Sequence, residues 1–369
     1  MNKKAIITLC LAASFSLSAV AQHKKYDEEV AFFKERIKTL ASDEFGGRKP
    51  LTEYETKTIN YIADEFKKLN LQPGYHGSYF QPVREISTYS RLDKNRLRVK
   101  GAKGSMDLNF PDDVMVWTLR GQEKISVPTT DFVFVGFGIN APEYNWNAYE
   151  GIDVKGKIII AMLNDPGYYD KNLFRGRNMT YYGRWKYKLE EAKRQGAAGA
   201  LVLHNTAAAS YGWNVCCYSH LQNTIGLCSD ELNQDALAMQ GWLHEEAAKK
   251  LFAISGVNFD EAIASAKKPG FKSFVMKAKS KINMNVKVNV GESHNVVAVL
   301  PGTDLKDEYI VCTAPWDHFG IGQAIDGESI YNGAADNASG TAALLLLAKK
   351  YQELPVKPRR SIVFVAVTS

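Results

Sequence analysis

The sequence predicts an α/β protein in which one α/β block interrupts another. Three observations predict it. Continuous apolar runs at residues 132–138, 156–163 and 199–204 read as buried strands. Segments at residues 27–41, 184–195 and about 338–353 read as helices. A second strand–helix–strand series, at residues 296–300, 309–314 and 362–367, resumes after the first block has closed near residue 285.

Composition frames this reading. The chain has 369 residues, 45% hydrophobic and 23% charged, which is ordinary globular composition. At roughly 100–200 residues per domain, two domains are expected. The net charge is +6, and Lys3 and Lys4 supply two of those charges. The rest is scattered, with no basic stripe to track phosphates, so no nucleic-acid partner is expected.

The first residues have the form of a secretory leader. Lys3 and Lys4 precede an apolar stretch from Ala5 to Ser18, and Ala19-Val20-Ala21 is a small-x-small cleavage site. The apolar stretch is short for a bilayer span of about 20 residues, which disfavours an uncleaved anchor. Leu9 before Cys10 argues against lipidation. The expectation is a signal peptide over residues 1–21, a periplasmic or extracellular mature chain, and no membrane span after cleavage. Cys216, Cys217, Cys228 and Cys312 remain. That compartment permits disulfides, so a link from Cys228 to Cys216 or Cys217 and four free thiols are both open. No spacing resembles a zinc–cysteine site.

The elements follow in order. Val30, Phe33, Ile37 and Leu40 repeat at helical spacing. A turn with Gly46, Gly47 and Pro50 comes next. Thr52 and Glu55 have the spacing of a capping box, before a helix with Ile59, Ile62, Phe66 and Leu69 on one face. Pro73-Gly74 closes it. Residues 75–125 read as strands and turns. The resulting layout is a leader at 1–21, a first part at 22–125, an inserted α/β domain at 126–285 and a continuation at 286–369. Gly136, Gly138 and Ala141 match a dinucleotide fingerprint, but Pro142 follows where a helix would have to open, so nucleotide binding is not expected. Tyr168, Tyr169, Tyr181, Tyr182 and Trp185 fit an aromatic core or the lining of a cleft.

Chemistry concentrates after residue 308. Asp317 and His318 follow an apolar strand, and Asp336 lies in a Gly- and Asn-rich loop that opens an apolar helix. Open α/β sheets bind ligands at the carboxyl ends of their strands. Two carboxylates and an imidazole there suit a metal site or an acid–base pair. The plainer alternative is that Asp336 or Asn337 caps the helix.

These residues resemble the two-zinc aminopeptidases, the group that also contains glutamate carboxypeptidase and the transferrin receptor. NGAADNASG at 332–340 and PWDH at 315–318 carry the likeness. Residues 136–160 are similar to the protease-associated domain found inserted in such enzymes, and FGGR at 45–48 fits their N-terminal part. The resemblance implies a zinc-aminopeptidase mixed-sheet α/β domain, here its N-terminal half, interrupted by a protease-associated α/β domain. It implies two zinc ions and peptide substrates with a free N-terminus. Asp336 would bridge the metals, Asp317 would serve the catalytic centre by orienting a zinc-binding histidine, and His318 and Asn337 would line the pocket. It also implies a cis peptide after Asp336.

Two departures shape the expectation. The zinc-binding histidine slot is Pro315, which has no side-chain donor. The family's general-base glutamate and its remaining ligands would follow the place where this sequence stops. A catalytic zinc needs three protein ligands and a water. A truncated, inactive chain that does not retain zinc is therefore expected. His204, His220 and His294 are not recruited to the site. The alternative is a non-catalytic protein- or peptide-binding module based on the inserted domain. Sibling chemistries such as carboxypeptidase or cyclase activity share the motifs.

Overall fold

The computed structural model describes residues 25–369, so the leader, with Lys3, Lys4 and Cys10, lies outside the described residues. The chain forms two compact units. One comprises the residues up to Val83 with Glu292–Ser369, and the other is Arg84–Gly291.

The first unit has helices on a mixed sheet. Residues 25–40 are helical, a tight turn follows at Asp43–Arg48, and a second helix runs Glu53–Lys68. The expected capping box takes another form. Thr52 makes no side-chain cap; its hydroxyl donates to the Lys49 carbonyl at 2.6 Å, while the Glu55 carboxylate accepts from the Leu51 N–H at 2.7 Å. The helix ends before Pro73, and Gln72–Pro73 joins the sheet instead, with Gln72 opposite Val299. Residues 296–300 pair antiparallel with Arg360–Val367, which pairs parallel with Leu305–Pro315. Alternation puts Val296, Ala298, Leu300, Ile362, Phe364 and Ala366 inward against Ile62, Phe66 and Leu345. The run at 309–314 differs from its apolar look. Leu305–Pro315 pairs with Arg360–Val367 alone among the described residues, so it forms an edge and leaves Tyr309, Ile310 and Val311 exposed.

The second unit is built on the four parallel strands Lys124–Phe134, Ile158–Met162, Gly199–His204 and Met239–His244. Ile158–Met162 and Gly199–His204 are buried along their full length, which explains their unbroken apolar sequence. Helices Trp185–Arg194, Glu245–Ile254 and Phe259–Ala266 cover the sheet. After Phe134 the chain turns through Gly136 and Gly138 into a short turn at Pro142–Tyr144, so no nucleotide-binding helix follows. The unit opens at Arg84 rather than 126 because the intervening strands pair within it. Val114–Trp117 lies against Met239–His244, and Arg96–Gly101 lies against residues 278–280. Its closing boundary, Gly291, falls a few residues after the expected 285.

All four described cysteines are free thiols. Burial pushes Cys216 up to about 12 and Cys217 to about 11. The aromatic cluster divides. Trp185 meets Trp117 and Trp242 in the core, and Tyr182 packs on Tyr144, Phe174 and Tyr187. No helix among the described residues is long and apolar enough to cross a membrane.

Candidate functional site

The strand Leu305–Pro315 ends at the residues singled out by sequence. Trp316 is fully buried, and its N–H donates to the Val367 carbonyl at 2.9 Å. Its indole Nε1 donates to the His294 carbonyl at 3.0 Å. This anchor holds Asp317 and His318, both half-buried, at the carboxyl end of the sheet.

The second loop arrives from the other side of the motif. Gly333 takes a left-handed conformation (φ 58°) and starts a single wide turn, Ala334–Ala338, ahead of the helix Ser339–Gln352. A Cβ at Gly333 would sit 2.3 Å from the Asp336 carbonyl oxygen and 2.6 Å from the His318 ring, so only glycine fits. Asp336 is exposed, and neither it nor Asn337 caps the helix. The plainer alternative is thereby removed. The Asp336–Asn337 peptide is cis, in agreement with the resemblance.

Pro315, the slot where a donor was missing, has a structural task. Its carbonyl accepts from Asn337 Nδ2 and from Thr341 Oγ1, each at 3.1 Å. Asn337 therefore ties the two loops together.

Beneath both loops lies Arg48, which sequence reading passed over. It is wholly buried, at 0% exposure. Nε donates to the Trp316 carbonyl at 2.9 Å, Nη1 to Leu40 at 2.5 Å and Asn332 at 2.6 Å, and Nη2 to Gly333 at 2.9 Å. In return the His318 N–H donates to the Arg48 carbonyl at 3.2 Å. A planar fork of donors suits a set of fixed carbonyls, and lysine could not replace it. Gly46 and Gly47, both at positive φ, bring the guanidinium in; a Cβ on Gly47 would lie 2.6 Å from two backbone oxygens. The FGGR run was the available signal.

The electrostatics bind these groups into one site. Burial lowers Arg48 to about 10, opposed by the charges of Asp317 and Asp336. Burial raises Asp317 to about 6; its own backbone N–H and Arg48 oppose the rise, and Asp336 adds to it. Burial lowers His318, against the pull of Asp336. Asp317, His318, Asp336 and Arg48 thus share one local field.

As a metal-binding set these residues do not fit. Pro315 brings no donor, and the Arg48 charge already acts on both aspartates. Among the described residues no three His, Cys, Asp or Glu side chains converge as a metal cluster would require. The remaining imidazoles lie elsewhere. His294 Nδ1 is 3.5 Å from Glu55, His204 Nε2 is 3.1 Å from the Tyr211 carbonyl, and His220 stacks on Trp117 at 3.5 Å.

Comparison with known proteins follows the same segment. Residues 295–369 match the family model of Peptidase family M28. No curated protein matches the chain. Among solved structures it is similar to an aminopeptidase from Aneurinibacillus sp. strain AM-1, with 17% identity over 91% of this chain and 61% of that one and a TM-score of 0.40. It is also similar to BSAP, a zinc aminopeptidase from Bacillus subtilis, with 16% identity, 91% and 60% coverage and a TM-score of 0.39. A Peptidase M28 precursor from Shewanella amazonensis gives 15% identity, 92% and 67% coverage and a TM-score of 0.36. The chain thus spans about 60% of the length of the first two.

Proposed function

We propose, on the premise that residues 295–369 form a Peptidase family M28 segment, that this protein descends from exported zinc aminopeptidases and that residues 1–369 do not themselves hydrolyse peptides. The observation that carries the second half is Pro315. At the position where the resemblance calls for a zinc-binding imidazole there is a ring without a donor, and its carbonyl is committed to Asn337 and Thr341. Asp336 alone does not hold zinc against water. The family chemistry to which the site is related removes N-terminal residues from peptides with two zinc ions, one bridging carboxylate and a general base.

In this reading Asp317 and Asp336 remain as a half-buried and an exposed carboxylate over Arg48, and residues 1–369 serve by binding peptide. The unit Arg84–Gly291 would be the inserted protease-associated domain, and the leader sequence supports export. Zinc content and hydrolysis of an aminoacyl nitroanilide test it, on the chain and on its Asp336→Ala and Pro315→His variants. Less than one zinc per chain and no turnover in the unsubstituted chain are expected. One or two zinc ions per chain, lost on Asp336→Ala, would overturn it.

A further inference from the structure

The second unit holds a cleft of about 280 Å³ that the site at Asp336 does not use. It lies at the carboxyl ends of the parallel strands. Met162 closes Ile158–Met162, Leu203 is one residue from the end of Gly199–His204, and Glu245 follows Met239–His244. This is the end where α/β sheets present loops to ligands. The volume falls just below the roughly 300–1,000 Å³ of pockets for drug-sized molecules, so the occupant is small.

The lining joins buried apolar side chains to charged ones that solvent reaches. Met162 and Leu203 are buried, and Phe259 and Ile263 face the same space from the helix Phe259–Ala266. The Tyr168 hydroxyl is committed to the Ala207 carbonyl at 3.0 Å, and Asn205 to Glu245 at 2.5 Å. Two lining charges have no ion-pair partner among the described residues: Asp260 and Lys267. The Lys267 ammonium rests over the Tyr169 ring, 4.3 Å from its centre.

Asp260 lies in the first turn of that helix and Lys267 is its C-cap. Seven residues at the helical rise separate them by about 10 Å along the axis, with Ile263 between. A free amino acid is too short to touch both. An extended peptide of three residues spans about 10 Å.

We propose that this cleft binds a short peptide of about three residues with both termini free. The ammonium faces Asp260, the carboxylate faces Lys267, and an apolar side chain packs against Ile263 and Phe259. Opposite charges at the two ends fix the direction of the peptide. The inference does not rest on the peptidase reading, because the cleft lies within Arg84–Gly291 and needs no metal.

Calorimetric titration of the full chain with Gly-Leu-Gly tests it, beside the N-acetylated peptide, the C-amidated peptide and free leucine. Saturable binding of one tripeptide is expected, weakened about threefold or more by either cap, as an ion pair that solvent reaches implies. Lys267→Gln should weaken the free tripeptide but leave the amidated one unchanged. Asp260→Asn should do the same for the acetylated one. Asp260 is exposed and Lys267 half-buried, and neither carries an ion pair among the described residues, so the variants fold. Equal affinity for capped and free peptides, indifference to both substitutions, or no saturable binding overturns the proposal. Each of these outcomes is independent of zinc content and turnover.

Discussion

Arg48 Nε donates to the Trp316 carbonyl at 2.9 Å, across 268 residues of sequence. One buried guanidinium thereby fixes the loop that carries Asp317 and His318. The same group fixes Asn332 and Gly333, at the start of the loop that carries Asp336.

Replacing Arg48 by methionine removes that fork and leaves the buried Leu40 and Trp316 carbonyls and the part-buried Asn332 and Gly333 carbonyls without that donor. A loss of about 3–5 kcal/mol in the stability of the first unit is expected. Arg48→Lys should recover little, because an ammonium cannot match the planar set. Urea unfolding followed by amide hydrogen exchange in residues 296–300 measures both. A loss below about 1 kcal/mol in the methionine variant would remove Arg48 from its place as organiser.

Gly333 and Gly327 form a matched pair. Both have positive φ, 58° and 90°. A Cβ at Gly333 meets the Asp336 carbonyl and the His318 ring, whereas at Gly327 it meets nothing within 4 Å. Gly333→Ala should therefore cost roughly 1–3 kcal/mol more than Gly327→Ala. Thermal unfolding of the two variants side by side makes the comparison. Equal losses would mean that the Asp336 loop gives way without cost.

His220 makes the second unit sensitive to acid. Its ring stacks on Trp117, and burial lowers it from 6.5 to about 3. The unfolded chain takes up a proton near pH 6.5 and the folded chain does not. Stability from this group is therefore complete above pH 6.5 and falls as the pH drops toward 3. His220→Phe keeps a stacked ring and removes the proton, so it should lose about 1–3 kcal/mol less between about pH 6.5 and 4. Denaturant midpoints at those two values decide it. Parallel pH slopes in both proteins would exclude His220 as the source.

Exposed Tyr309, Ile310 and Val311 lie on a strand with one partner among the described residues. Such an edge invites pairing with another chain. Ile310→Lys should lower self-association without changing the unfolding free energy by more than about 0.5 kcal/mol. Light scattering against concentration tests this. Unchanged scattering would show that the edge is not the route.

Much of this could be read from residues in series. The buried strands at 158–162 and 199–204 announced themselves because both faces are covered, so apolar residues run without a break. The helix at Ser339–Gln352 and the loop before it followed from the NGAADNASG run. Residues 309–314 read as an apolar strand, but their exposure could not be read, because it depends on neighbours and not on their own composition. Arg48 stayed hidden for a related reason: its partners are backbone carbonyls, which every sequence contains, and only folding chooses which ones it meets. The second unit opens at Arg84 by strand pairing, which no change in composition marks.

The reach of Arg48 also sets an order of events during synthesis. At roughly 5–20 residues per second, the sequence separation of 284 from Arg48 to Asn332 takes roughly 15–60 s to emerge. The intervening unit is contiguous and has its own core, so it can fold while the chain lengthens. The first unit cannot close in that interval, and Arg48 waits in water until both loops exist. Translation speed and chaperone access in the nascent chain should therefore bear on the site around Asp336 far more than on the cleft at Lys267.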